Sequence, residues 1–406
     1  MTACPVCSTT EPALTVRRDL LPSMQNYVHR TPEQARAVPR GQLSLATCRS
    51  CGFSWNASFD PSRLAYDAGY DNAVPSAVMD RHYHDTALEL GRRHSLARGY
   101  VVDIGCGNGT FLKALCRVWP ACRALGVDPA LPHDEVLADG RLTLIKGVFA
   151  PEQLQGAPSL IVARHVLEHM PDPVGFVGEL RTASEAAFAL RATAPRAGQG
   201  APVFVEVPDL DWILAQQAFW DFCYEHCNYF TAATLGEVFA RAGLRATAAD
   251  VTFGRQYQWV EGVPASGGGA HHAAGPSLAG RLRDYAEGEQ GRVHAIRARL
   301  DDLRRRGRTV AVWGMATKGI MFSLMVDPDS RLIDYTVDVN VNKQGCYVPI
   351  SGRRIDAPAV LQQQVDKPAV VVVMNPNYVH EVATMCHGLG VVASFLDASG
   401  EELAAA

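Results

Sequence analysis

The stretch Val101-Val102-Asp103-Ile104-Gly105-Cys106-Gly107-Asn108-Gly109-Thr110-Phe111-Leu112 restricts the possible folds more than any other part of the chain. VVDI is an apolar run suited to a buried strand, GCGNG is too rich in glycine for a helix or strand, and FLKALCR resumes with apolar residues at helical spacing. A strand, a glycine turn and a helix make a cradle in which backbone N–H groups and a helix N-terminus face a ligand. The spacing is Gly-x-Gly-x-Gly, not the Gly-x-Gly-x-x-Gly of a pyrophosphate loop, and Asp103 stands two residues before the first glycine. A carboxylate there repels a pyrophosphate but suits a ligand with an ammonium group and a cationic sulfur. S-adenosylmethionine (SAM) has both, which makes Asp103, Gly105, Gly107, Asn108 and Gly109 candidate cofactor contacts.

The following segments continue the pattern of an α/β sheet. Ala124 to Pro129 (ALGVDP) reads as a second buried strand ending in an acid. In nucleoside sites such an acid accepts hydrogen bonds from the ribose hydroxyls, so Asp128 and the adjoining Pro129 are candidates. Leu142 to Phe149 suits a third strand, whose end at Phe149 would lie near an adenine. Ser159 to Pro171 (SLIVARHVLEHMP) is a fourth strand running into a short helix, and Pro202 to Pro208 a fifth strand that includes Glu206. Strand ends in an open parallel sheet face the ligand crevice, which puts Arg164, His165, Glu168 and His169 in position for function. Alternating strands and helices predict a doubly wound, Rossmann-like sheet.

The ends of the chain add two more units. Cys4-Pro5-Val6-Cys7 and Cys48-Arg49-Ser50-Cys51 are paired Cys-x-x-Cys knuckles, the donor set of a structural zinc ion with no open coordination position. The polar, proline-containing stretch between them is a poor core, so the metal is expected to supply much of this module's stability. Between the second knuckle and the central sheet, Tyr66, Tyr70, Asn72, His82, Tyr83 and His84 are dense enough to line a pocket, although packing is the commoner use of such residues. Gly262 to Gly275 is small and low in complexity and reads as a linker, with His271 and His272 as solvated loop residues. Leu282, Tyr285, Val293, Ile296, Leu300 and Leu303 then predict a helix packed on a neighbouring domain, weakened at Gly288 and Gly291. Thr309 to Ile320 repeats the strand, turn and helix pattern without the glycine spacing of a nucleoside cradle. The expected division is therefore a zinc module at 1–60, a SAM-binding domain at 61–261, a linker at 262–278 and a second α/β domain at 279–406.

GCGNG with Asp128, RHVLEHMPDP, and VEVPD resemble a class I SAM-dependent methyltransferase. With the N-terminal knuckles, they resemble the zinc-containing deoxysugar C-methyltransferases that act on nucleotide-linked ketosugars. The likeness runs through all three regions. Carbon methylation requires the C–H bond beside a carbonyl to be broken first, which takes a base and donors for the enolate oxygen. In Phe219 to Phe230 (FWDFCYEHCNYF), His226 is the candidate base, Tyr224 a donor or relay, and Glu225 an orienting group. The resemblance implies that this Tyr-Glu-His segment is the acid/base cluster. His165, expected near the methyl group, and His169 are rival bases. The same resemblance makes the C-terminal domain the acceptor-binding part, with Lys318, Asn340, Lys343, Asn375 and Tyr378 as candidate contacts.

Bulk composition restricts the partners. A formal net charge of -4 gives no reason to expect nucleic-acid binding. No apolar run suggests a membrane span. Eleven cysteines without an export signal read as thiols or metal ligands in a cytoplasmic protein. A small-molecule acceptor, most simply a nucleotide-linked ketosugar in natural-product or polysaccharide sugar biosynthesis, fits best. The alternatives are another natural-product intermediate methylated on C, N or O, and a SAM- and zinc-binding scaffold without catalysis.

Overall fold

The computed structural model describes residues 3–189, 200–265, 277–364 and 369–404, and the expected linker positions His271 and His272 lie outside them. Three sheets organise the chain. The central one has eight strands in the spatial order Leu244–Thr252, Tyr257–Pro264, Val203–Pro208, Leu160–Arg164, Tyr100–Ile104, Arg123–Asp128, Leu142–Lys146 and Glu135–Leu137. The five strands from Val203–Pro208 to Leu142–Lys146 run parallel, and the pairs at both edges are antiparallel. The parallel strands are buried almost throughout because helices cover the sheet, which is why their sequences read as continuous apolar runs. The chain moves outward from Tyr100–Ile104 through the next two parallel strands, then returns to place Leu160–Arg164 on the other side of its starting point. That reversal opens the crevice between the glycine loop and Arg164-His165.

The C-terminal sheet has six strands, in the order Ile355–Asp356, Tyr335–Val337, Thr309–Trp313, Ala369–Val373, Ala393–Leu396 and Glu402–Leu403, of which the first five run parallel. The molecule is a mixed α/β protein with a largely parallel, doubly wound central sheet, a second α/β domain and an N-terminal cysteine cluster.

Two expected boundaries fall inside regular elements. The strand Tyr257–Pro264 continues past 261, held by pairing on both sides, and the helix Ser277–Arg305 begins before 279. That helix runs unbroken through Gly288 and Gly291, because Leu282, Tyr285, Val293, Ile296 and Leu300 form one buried stripe that outweighs the local glycine penalty. The N-terminal module is not closed at residue 60 either. Its antiparallel sheet, Pro12–Pro22, Arg40–Cys48 and Ser54–Asn56, takes its fourth strand, Asn228–Tyr229, from just beyond the Tyr-Glu-His segment. Phe53 meets Phe230 edge to face at 5.4 Å, so the cysteine module and the central domain share one core.

A buried ion pair ties the same module to the third part of the chain. Arg18 pairs with Glu289 of the long helix and donates to the carbonyls of Phe219 and Phe222 at 2.8 and 2.7 Å. Removing one partner of such a pair costs about 3–5 kcal/mol, because the other charge is left buried. The segment carrying the candidate base is thus held between all three parts.

Candidate active site

The glycine loop is built by backbone constraint. Gly105, Gly107 and Gly109 have φ of 77°, 55° and 74°, in the left-handed region that favours glycine. At Gly105 a Cβ would also lie 2.3 Å from Val166 Cγ2. The loop turns back on the second strand, where Gly105 N–H donates to Val127 O at 2.8 Å and Gly107 N–H to Asp128 Oδ2 at 2.8 Å. The helix Thr110–Val118 starts directly after it, with Gly109 at its cap.

Beside this loop, a cavity of about 340 Å³ separates the central and C-terminal domains. Asp103, Gly105, Gly107 and Asn108 form one wall with Arg164 and His165, while Lys318, Lys343, Asn375 and Tyr378 line the side toward the C-terminal sheet. His226 faces the same space. Residues more than 100 positions apart in sequence therefore meet at one crevice.

Asp103 is 3% exposed and its Oδ1 has no hydrogen-bond partner. Burial pushes its carboxyl up to about 7 against the pull of the Arg164 charge, with Asp128 and Glu206 adding to the rise. A buried carboxylate oxygen left without a partner is costly, and it fits a cationic ligand in the crevice. Arg164 does not supply free charge to the cavity. Glu206 holds its guanidinium at 3.0 and 2.7 Å, and the group lies over the Tyr83 and Phe111 rings at 5.0 and 4.8 Å.

His165 has a φ of 56°, unusual for a residue other than glycine. Its Nε2 lies 3.2 Å from Glu206 and its Nδ1 3.5 Å from Glu168. Burial works against its charge, but these two carboxylates outweigh burial and raise the ring to about 9. It is therefore an imidazolium at neutral pH and already holds the proton a base would have to accept. His226 behaves in the opposite way. Burial lowers it to about 3, with the His169 ring adding to the effect, so it stays neutral and able to accept a proton.

Several expected residues lie elsewhere. Tyr224 does not line the cavity. Its ring covers Gly41, where a Cβ would come within 2.1 Å of it, and its hydroxyl accepts from Asp60 N–H at 2.8 Å and donates to Asp60 O at 3.3 Å. It closes the join with the N-terminal module, and the expected enolate-donor role does not fit this geometry. Glu225 is also turned away from the cavity, accepting from the backbone N–H groups of Gln25 and Asn26 and from Tyr70 Oη at 3.1 Å. The chain bends at Tyr224 and Glu225, and of the three neighbours only His226 lines the cavity. Asn340 likewise holds a neighbouring segment, donating to Asp71 at 3.0 Å and to Ala73 O at 3.2 Å. Asp128 sits behind the loop, with its second oxygen on Ala130 N–H at 2.8 Å. Gly109 acts as the helix cap, Pro129 follows the strand end, and Phe149 packs on the central core beyond a strand that stops at Lys146.

Other cavity residues come from places the sequence did not single out. Asn26, between the cysteine knuckles, reaches the site and accepts from Lys343 Nζ at 3.0 Å while donating to Thr317 Oγ1 at 3.0 Å. No local pattern marks it. Gln256 joins Asn375 through two hydrogen bonds of 2.8 and 3.0 Å and accepts from Lys318 Nζ at 3.1 Å. Tyr70, Asn72 and Tyr83 do come from the aromatic stretch flagged above.

In the N-terminal module the four sulfurs of Cys4, Cys7, Cys48 and Cys51 lie within 4.8 Å of one another, with Cys4–Cys51 at 3.7 Å and Cys7–Cys48 at 3.4 Å. A tetrahedral ion with metal–sulfur bonds of about 2.3 Å sets sulfur–sulfur edges of about 3.8 Å, so the donor set fits zinc.

Residues 78–249 match the family described as a methyltransferase domain, and residues 272–390 match a C-methyltransferase C-terminal domain. The chain is a SAM-dependent methyltransferase. It is 28% identical to the C-methyltransferase NovU of Streptomyces niveus over 307 residues, 70% of this chain and 67% of that one. Similar solved chains include the dimethyltransferase RosA of Streptomyces davawensis, at 20% identity, 46% of this chain, 55% of that one and a TM-score of 0.34. CalO1, a methyltransferase in calicheamicin biosynthesis solved with S-adenosylhomocysteine, matches at 20% identity, 45% of this chain, 54% of that one and a TM-score of 0.33. The match spans about half the length of these solved chains. Among the described residues no helix is long and apolar enough to cross a membrane.

Proposed function

We propose that this methyltransferase transfers a methyl group to the carbon beside a ketone in a nucleotide-linked deoxysugar. The observation that carries the reading is the neutral His226 ring in the wall of a cavity that lies between the glycine loop and a lysine- and asparagine-lined second domain. Asp103, Gly105, Gly107 and Asn108 hold the cofactor, and Asp128 braces the loop that does so. SAM supplies the methyl group as an electrophile when bound there. His226 takes the proton from the carbon next to the acceptor's carbonyl. Lys318, whose charge is shared with Asp221, and Lys343 lie on the acceptor side, and with Asn375 and Tyr378 they are the proposed contacts to a diphosphate. Zinc on the four cysteines is structural. It keeps in place the sheet that takes up Asn228–Tyr229 and delivers Asn26 to the cavity.

Support for transfer to carbon comes from the description of the C-terminal family and from the relative that is itself named a C-methyltransferase. The low basicity of His226 favours a second reading, transfer to an O or N acceptor of another natural-product intermediate, which demands less of a base.

Incubation in heavy water with a thymidine diphosphate 4-keto-6-deoxyhexose and no SAM separates the two. The carbon reading expects deuterium at the position next to the ketone, lost in His226→Ala. Methylation of the same compound at oxygen, with no exchange at carbon, sinks it.

A further inference from the structure

One buried carboxylate beside the proposed base has no assigned role. Glu168 lies in the short turn Leu167–His169 that follows the strand Leu160–Arg164, and it is 1% exposed. One oxygen, Oε1, lies 3.5 Å from His165 Nδ1. The other, Oε2, has no hydrogen-bond partner. A carboxylate oxygen of Glu168 and one ring nitrogen each of His169 and His226 lie within 4.8 Å of one another. His169 is fixed in turn, its Nδ1 at 3.0 Å from both Tyr66 Oη and Glu225 O, and its ring edge-on to His226 at 5.0 Å between centroids.

Buried polar atoms are nearly always satisfied, and an orphaned oxygen on a carboxylate that lies beside two histidines fits a partner that forms during the reaction. Proton abstraction supplies one. When the α C–H bond of the acceptor breaks, its proton goes to His226 and the electron pair moves to the carbonyl oxygen as an enolate. His226 then becomes an imidazolium in the wall of the cavity. Among the groups facing it, His169, His165 and Lys318 oppose that charge, and Glu168 favours it. Lys318 is already paired with Asp221 at 3.0 Å, and His165 with Glu206.

We propose that Glu168 is the positioning residue of the base: its free carboxylate oxygen receives the imidazolium that His226 becomes, so the pair works as a Glu–His dyad. This rests on the carbon-methylation reading above, which makes His226 the base. The dyad also explains how a ring of low basicity can act, because the counter-charge is preorganised at the place where positive charge develops.

The test is a double-mutant cycle of Glu168→Gln and His226→Ala, read as α-proton exchange of a thymidine diphosphate 4-keto-6-deoxyhexose in heavy water over a range of pH. Glu168→Gln keeps the shape and removes the charge. Exchange is expected to fall at least tenfold, with the acidic limb of its pH profile moving to lower pH and SAM affinity unchanged within about twofold. In the His226→Ala background the same substitution is expected to change nothing further. Glu168→Asp, which keeps a carboxylate, is expected to exchange faster than Glu168→Gln. An exchange rate and profile in Glu168→Gln equal to those of the unmodified enzyme overturn the dyad, as does an equal fractional loss in the presence and absence of His226, or an aspartate variant no faster than the glutamine one. Full exchange in His226→Ala overturns the base reading itself, whatever Glu168 does.

Discussion

Gly105→Ala tests the donor site at its most constrained point. Two penalties act there. The left-handed φ of 77° costs an L-residue about 1–2 kcal/mol, and the new Cβ meets Val166 Cγ2 at 2.3 Å, an overpacking contact in the range of about 1–3 kcal/mol. Together they amount to about 2–5 kcal/mol, which lowers the melting temperature by roughly 4–20 °C for a domain of this size. If the loop relieves the clash by moving, the Gly105 and Gly107 hydrogen bonds to the second strand loosen, and SAM affinity falls instead. Differential scanning fluorimetry and isothermal titration with SAM read both routes. A variant that melts within about 1 °C of the parent and binds SAM equally well refutes the claim that this loop is rigid and holds the donor.

Three other perturbations follow from the same geometry. Asp103, raised to about 7 by burial, binds more protons folded than unfolded, so its contribution to stability weakens as pH rises from about 4 through 7. SAM binding requires the ionised form, so affinity should drop by up to about tenfold per pH unit below 7, and Asp103→Asn should flatten that dependence as read by titration calorimetry. Cys48→Ser removes one of four sulfurs whose metal binding is worth about 10–16 kcal/mol, comparable to the whole stability of a domain, so metal analysis should show zinc lost and methyl transfer reduced at least a hundredfold. Stoichiometric zinc in that variant contradicts the structural-metal reading. Tyr224→Phe should keep methyl transfer within about threefold and cost about 1 kcal/mol of stability, because among the described residues the hydroxyl bonds to Asp60 alone; a hundredfold loss of rate would restore it to the chemistry.

The glycine loop was legible because it is local. A strand, a glycine turn and a helix are complete within a dozen residues, and the φ values of Gly105, Gly107 and Gly109 explain why that spelling is required. The rest of the cavity depends on contacts between distant segments. Tyr224, Glu225 and His226 look equivalent in sequence, yet the pairing of Asn228 with Trp55 and the burial of Tyr224 over Gly41 leave only His226 facing the cavity. Asn26 reaches the site through the fold of a module that carries no catalytic pattern of its own. The boundaries near 261 and 279 were misplaced for a related reason, since glycine-rich composition marks the weak stretch but not how far pairing and a buried stripe extend into it.

The central claim is that the methyl group ends on carbon. Incubation with SAM carrying carbon-13 in its methyl group and a thymidine diphosphate 4-keto-6-deoxyhexose, followed by NMR of the product, tests it directly. The account predicts a labelled methyl bonded to the carbon beside the carbonyl, seen as a one-bond carbon coupling in doubly labelled sugar. A labelled methyl on oxygen or nitrogen contradicts it.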